Sequence, residues 1–117
     1  MAGFLTTHVL DTVRGTPCAG IKIDLYEING DARCHIASLT TNSDGRTDAP
    51  ILPESDFRKG IYELVFHVGE YFDSLDATAV GPRFLDTVPL RFGMSDDTHY
   101  HVPLLVSPYS YSTYRGS

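Results

Sequence analysis

Apolar and polar side chains alternate along most of this chain with the two-residue period of half-buried β-strands. Across residues 4–10 the alternation sets Leu5, Thr7 and Val9 on one face and Thr6, His8 and Leu10 on the other. Residues 21–28 repeat it, with Ile21, Ile23 and Leu25 against Lys22, Asp24 and Tyr26. Residues 36–41 form a shorter candidate, and residues 61–68 place Tyr62, Leu64, Phe66 and Val68 together. Residues 84–92 offer Phe84, Val88, Leu90 and Phe92, and Pro89 predicts an edge position because it cannot donate to a ladder. Residues 99–106 and 108–114 complete the strand set. Turn signals separate the runs at Asn29-Gly30-Asp31, Ser43-Asp44-Gly45, Gly81-Pro82 and Ser95-Asp96-Asp97. Only residues 70–76 have helical spacing, with Tyr71, Phe72 and Leu75 on one side. The pattern predicts an all-β fold: a two-layer antiparallel β-sandwich of about eight strands with one short helix, filling residues 1–117 as one domain.

Three strands carry an unusual outer face. The first presents Thr6, His8 and Leu10, the penultimate His101, Pro103 and Leu105, and the last Ser110, Ser112 and Tyr114. This mixture is too apolar for open water and too polar for a core, so it predicts a surface covered by another subunit, with a cavity between. The last strand runs without a break into Tyr114-Arg115-Gly116-Ser117, whereas chain ends are usually frayed and polar. The tail is expected to be held against His8, Arg46 and His101.

Composition narrows the function. The formal net charge of −6 leaves no basic patch to neutralise phosphates, which argues against a nucleic-acid partner. No apolar run approaches a membrane span, and the amino terminus has neither the basic start nor the apolar stretch of a secretory signal, so a cytoplasmic location is expected. Cys18 and Cys34 have no metal-site spacing, and nothing else points to an oxidising compartment.

Taken singly, the chemical candidates are weak. His99-Tyr100-His101 puts two imidazoles on one strand face, a pattern equally produced by solvated or interface histidines. A zinc site wants three or four ligands; His8 would supply a third, and no carboxylate or thiol falls in place as a fourth, so no metal is expected. Arg46 in Asn42-Ser43-Asp44-Gly45-Arg46 reads alone as a solvated turn arginine. No Gly-x-Ser-x-Gly elbow activates a serine, and there is no glycine-rich phosphate cradle.

Together they carry a resemblance. The segment from His99 through Ser107-Pro108-Tyr109-Ser110-Tyr111-Ser112-Thr113 to Tyr114-Arg115-Gly116-Ser117 resembles the carboxy-terminal signature of the 5-hydroxyisourate hydrolases of the transthyretin-like family. Leu5-Thr6-Thr7-His8-Val9-Leu10-Asp11 and Asn42-Ser43-Asp44-Gly45-Arg46 resemble its other two signatures. Transthyretins share the Ser-Pro-Tyr-Ser-Tyr-Ser-Thr run but lack these histidines, this arginine and the terminal tetrapeptide. The resemblance implies cofactor-free hydrolysis of 5-hydroxyisourate, with His8, Arg46, His101 and Ser117 catalytic and His8, Arg46, Ser112 and Tyr114 contacting substrate. Ser117 would also contribute its α-carboxylate as an acceptor. It further implies a homotetramer, a dimer of dimers, whose inner channel holds the sites. The alternatives are a transthyretin-type carrier of a small ligand and an immunoglobulin-like structural sandwich; the latter fits poorly because the chain has no Trp.

Overall fold

The computed structural model describes residues 3–76, 78 and 80–116. Eight strands form two sheets: β1 (Phe4–Asp11), β2 (Thr16–Pro17), β3 (Lys22–Asn29), β4 (Ala32–Thr40), β5 (Gly60–Phe66), β6 (Val88–Met94), β7 (His99–Val106) and β8 (Tyr111–Thr113). One sheet has the order β2-β1-β7-β8 and the other β4-β3-β5-β6. The single α-helix among the described residues, α1 (Val68–Leu75), follows β5.

The expected alternation decides which side chains meet between the sheets. Leu5 and Val9 of β1, Ile23 and Leu25 of β3, Leu64 and Phe66 of β5, and Leu104 and Val106 of β7 are all buried. Truncating one such residue to Ala typically costs about 2–5 kcal/mol, from lost transfer energy plus the cavity left behind. Asp11, also buried, ties the end of β1 to α1. Its Oδ1 accepts from the backbone N–H groups of Val13 and Arg14, each at 3.0 Å, and its Oδ2 accepts from the Tyr71 hydroxyl at 2.9 Å.

The departures from the expected pattern have local causes. β2 has only two residues, too few to show a period, and pairs with Leu10 and Asp11 across the turn at Gly15. β4 starts earlier than expected because Arg33, Cys34 and His35 lie on an exposed edge strand, where burial enforces no alternation. Residues 84–87 are not strand, and Phe84 is 75% exposed rather than turned inward. Pro89 does sit on an edge strand, β6. Leu75, at the last turn of α1, is 44% exposed, while Val68, Tyr71 and Phe72 carry the helix contacts. Cys18 and Cys34 are both free thiols.

One pairing positions the site. All ladders are antiparallel except β1 with β7, which is parallel and in register as Phe4 with His99, Thr6 with His101 and His8 with Pro103. A parallel pair needs a crossover connection rather than a hairpin, and here nearly the whole chain intervenes. The outer faces of the first and penultimate strands are therefore direct neighbours.

Candidate active site

Arg46 reaches this face through a tight turn packed on β1. Asn42 Oδ1 accepts from the backbone N–H groups of Asp44 (2.9 Å) and Arg46 (3.2 Å), an arrangement that asparagine favours in turns. Gly45 is the residue this turn requires. Its φ is +74°, and a Cβ there would stand 2.4 Å from the Val9 carbonyl oxygen. Val9 N–H donates to the Gly45 carbonyl at 2.8 Å, and Arg46 comes to lie opposite His8 as an isolated antiparallel bridge. Among the described residues, the Arg46 guanidinium has no ion-pair partner.

Both imidazoles are oriented from behind. His8 Nε2 lies 2.9 Å from the Asp44 carbonyl oxygen, which only accepts, so Nε2 carries the proton and Nδ1 is left basic in the neutral ring. His101 Nδ1 lies 2.8 Å from Thr6 Oγ1, and the same hydroxyl lies 2.6 Å from His99 Nε2. The ring centroids of His8 and His101 are 6.4 Å apart. Burial lowers the pKa of both, and the Arg46 charge lowers each further; for His101, His99 and His8 add to the effect. Both rings are thus neutral near pH 7, the state in which imidazole acts as a base.

Thr6, Arg46, His99 and His101, with residues 47–50, line a cleft of about 410 Å³. The tail reaches it in the register set by β8: Thr113 pairs with Leu104, and Gly116 bridges His101 with its N–H donating to the His101 carbonyl at 2.7 Å. Of the expected residues, the fold brings His8, Arg46 and His101 together. Ser112 pairs with Leu105 further along the same sheet and is exposed. Tyr114, 61% exposed, borders a separate space of about 360 Å³ beside Leu90, Phe92, Tyr100 and Val102 at the sandwich edge. Its neighbour Arg115 holds its guanidinium 4.4 Å from the centre of the Tyr100 ring. Ser117 lies outside the described residues.

Besides residues 47–50, the cleft takes in Thr6, read from the sequence only as part of a covered face, and His99, read only as a second imidazole beside His101. Each alternates onto the same face as an expected histidine, but only the parallel β1–β7 register makes them adjacent. Among the described residues no group of three or more His, Cys, Asp or Glu is arranged to hold a metal ion.

A cleft lined by His101 and Arg46, with His8 beside them and no ion-pair partner for that guanidinium among the described residues, can move protons and stabilise negative charge. Comparison with known proteins shows the family. A 5-hydroxyisourate hydrolase 2 from Rhizobium meliloti (strain 1021) is 60% identical over 117 residues, 99% of this chain and 98% of the relative. The crystal structure of (S)-allantoin synthase matches with a TM-score of 0.89 and 48% identity, over 98% of this chain and 44% of that one. The structure of Klebsiella pneumoniae 5-hydroxyisourate hydrolase matches with a TM-score of 0.80 and 32% identity over the full length of both chains. Residues 5–116 match the transthyretin family model, and with the sandwich and these relatives in agreement, the chain belongs to the HIUase/Transthyretin family.

Proposed function

We propose that this protein hydrolyses 5-hydroxyisourate, opening the six-membered ring by addition of water at a ring carbonyl to give 2-oxo-4-hydroxy-4-carboxy-5-ureidoimidazoline. The observation that carries the reading is the meeting of His8, Arg46 and His101 around one cleft, in a chain 60% identical to a protein named for this activity.

His101 Nε2 takes a proton from the attacking water as its oxygen bonds to the carbonyl carbon. The carbonyl electron pair moves to oxygen, and Arg46 stabilises that charge as a planar multi-donor cation. When the carbonyl re-forms, the ring C–N bond breaks and the nitrogen takes the proton from His101. His8, held by Asp44, orients the substrate through Nδ1. Ser112, Tyr114 and Ser117 complete the site by contacting substrate or water, Tyr114 and Ser112 once subunits meet across this face. The enzyme works as a homotetramer, without a metal or cofactor, in the cytoplasm. No helix among the described residues is long and apolar enough to cross a membrane.

The direct test follows the absorbance of freshly generated 5-hydroxyisourate with and without protein. Accelerated loss supports the enzyme, whereas a transthyretin-type carrier leaves the decay at its spontaneous rate. Wild-type turnover in a folded His101→Asn variant would overturn the assignment of the base.

A further inference from the structure

Thr6 Oγ1 stands between two imidazole nitrogens, 2.6 Å from His99 Nε2 and 2.8 Å from His101 Nδ1. A hydroxyl has one proton and two lone pairs, so when both rings are neutral it either donates to one nitrogen and accepts from the other, or accepts from both. Three arrangements satisfy both contacts. In one, His99 Nε2–H donates to Thr6 and Thr6 donates to His101 Nδ1; His101 then carries its own proton on Nε2 and has no basic nitrogen facing water. In the second, His101 Nδ1–H donates to Thr6 and Thr6 donates to His99 Nε2, which leaves His101 Nε2 bare. In the third, both rings donate to Thr6, which again leaves His101 Nε2 bare but gives Thr6 no bare His99 Nε2 to donate to.

The second and third arrangements both let His101 act as the base, and only the second lets Thr6 pass a proton on to His99, so this inference rests on the function proposed above. We propose that Thr6 and His99 are positioning residues that hold His101 in its Nδ1–H tautomer and exchange a proton with it during turnover. Phe4 fixes the far end of the chain: its ring lies against that of His99 at 4.1 Å between centroids and 7° between planes. Thr6 is held by the parallel β1–β7 register, which pairs it with His101 and pairs Phe4 with His99. The charged and titratable groups facing the relay are His8, with its ring 6.4 Å from that of His101, and Arg46 and Asp48, which line the same cleft. The Gly116 backbone covers the Cδ2 edge of His101.

The proton movements balance. As water attacks, its O–H bond breaks and His101 Nε2–H forms, giving an imidazolium. His101 Nδ1–H then passes to Thr6 Oγ1 while the Thr6 proton passes to His99 Nε2, so the positive charge moves to His99 and the hydroxyl is restored. When the ring C–N bond breaks, the leaving nitrogen takes the Nε2 proton and the relay runs backwards. His101 returns to its Nδ1–H form, and no external donor or acceptor is consumed.

The test combines kinetics with ¹⁵N NMR of the imidazole rings in the full chain. Thr6→Val keeps the side-chain volume and removes the hydroxyl. It is expected to lower kcat at least roughly tenfold, part of the 10²–10⁴ that a well-placed base contributes, with little change in KM. Thr6→Ser should recover most of that loss. His99→Phe preserves the ring beside Phe4 but removes the acceptor, and should lower kcat similarly. The wild-type spectrum, with the His101 signals assigned by their loss in His101→Asn, should show protonated Nδ1 and unprotonated Nε2. Thr6→Val should shift the population toward protonated Nε2. Protonated Nε2 in the neutral wild-type protein would overturn the proposal, and the spectrum alone decides this if either variant fails to fold. Unimpaired turnover in both folded variants, with an inactive His101→Asn, would overturn the relay and leave the base assignment standing. Unimpaired turnover in His101→Asn would instead remove the base assignment.

Discussion

Gly116 lies directly against His101. Its N–H donates to the His101 carbonyl at 2.7 Å, and a Cβ at position 116 would stand 2.7 Å from His101 Cδ2 and 3.1 Å from His101 Cβ. The glycine is required here by space rather than by backbone conformation. Gly116→Ala must push either the tail or the imidazole, while the core between the sheets is untouched. The expected result is a turnover reduced by at least about tenfold, since small misplacements of a reacting group cost up to ~10²-fold, with thermal stability close to wild type. Parallel kinetic and calorimetric measurements check it; full activity in Gly116→Ala would show that the close approach is not needed for catalysis.

Arg46 should set the acid limb of the pH profile. His101 sits below its ordinary pKa of 6.5 because of burial first and the Arg46 charge second. Activity that needs neutral His101 is therefore on a plateau at neutral pH and falls as pH drops through that lowered value. Arg46→Ala removes a positive charge, so the limb should move toward higher pH and turnover at neutral pH should fall by roughly 10²-fold or more from lost oxyanion stabilisation. Arg46→Lys keeps the charge without the planar fork, so its limb should stay near wild type although its rate falls. The profile of kcat/KM against pH, corrected for spontaneous decay at each pH, separates these outcomes. A limb unmoved in Arg46→Ala would break the link between this cation and the base.

The sandwich was legible because alternation reports burial, and it did so in β1, β3, β5 and β7, whose inward residues are the core. It failed where burial does not act: along the exposed edge strand β4 around Cys34, in two-residue β2, and at Phe84, whose apolar ring faces outward. His8, Arg46 and His101 stood out through motif resemblance, since alternation alone shows a face and not a neighbour. The place of Thr6 between His99 and His101 was hidden because it depends on a parallel pairing between the two ends of the chain, a long-range register that no local spacing encodes.

Removing residues 114–117 should cost activity far more than stability. Arg115 does lie over Tyr100, and Gly116 bridges His101, but these residues are intermediate or exposed and contribute little to the core. Loss of the Gly116 contact frees the His101 Cδ2 edge and opens the cleft. The expectation is a folded protein with turnover lowered by at least ~10²-fold, read by the same absorbance assay alongside circular dichroism. A truncated protein that keeps wild-type kcat would exclude the tail from the site.

Asp24 tests the opposite sheet, away from the cleft. It is buried, its Oδ2 lies 2.8 Å from His67 Nε2 and its Oδ1 3.2 Å from His35 Nε2, and Ser38 Oγ donates to Oδ1. Burial pushes its pKa up, but hydrogen bonds from Ser38, His67 and His35 outweigh this and bring it to about 2. An unfolded aspartate titrates near ~3.9, so the folded state binds this proton less readily than the unfolded chain. The resulting stabilisation is fully present above that unfolded value and is lost as pH falls toward 2. Asp24→Asn should therefore lower the melting temperature at pH 7 and flatten its decline between about pH 4 and 2, the window set by the two pKa values. Turnover per folded molecule at pH 7 should stay near wild type. Calorimetry across that range, paired with the neutral-pH assay, distinguishes this stabilising carboxylate from the groups that do the chemistry; an acid-stability curve parallel to wild type would refute its role.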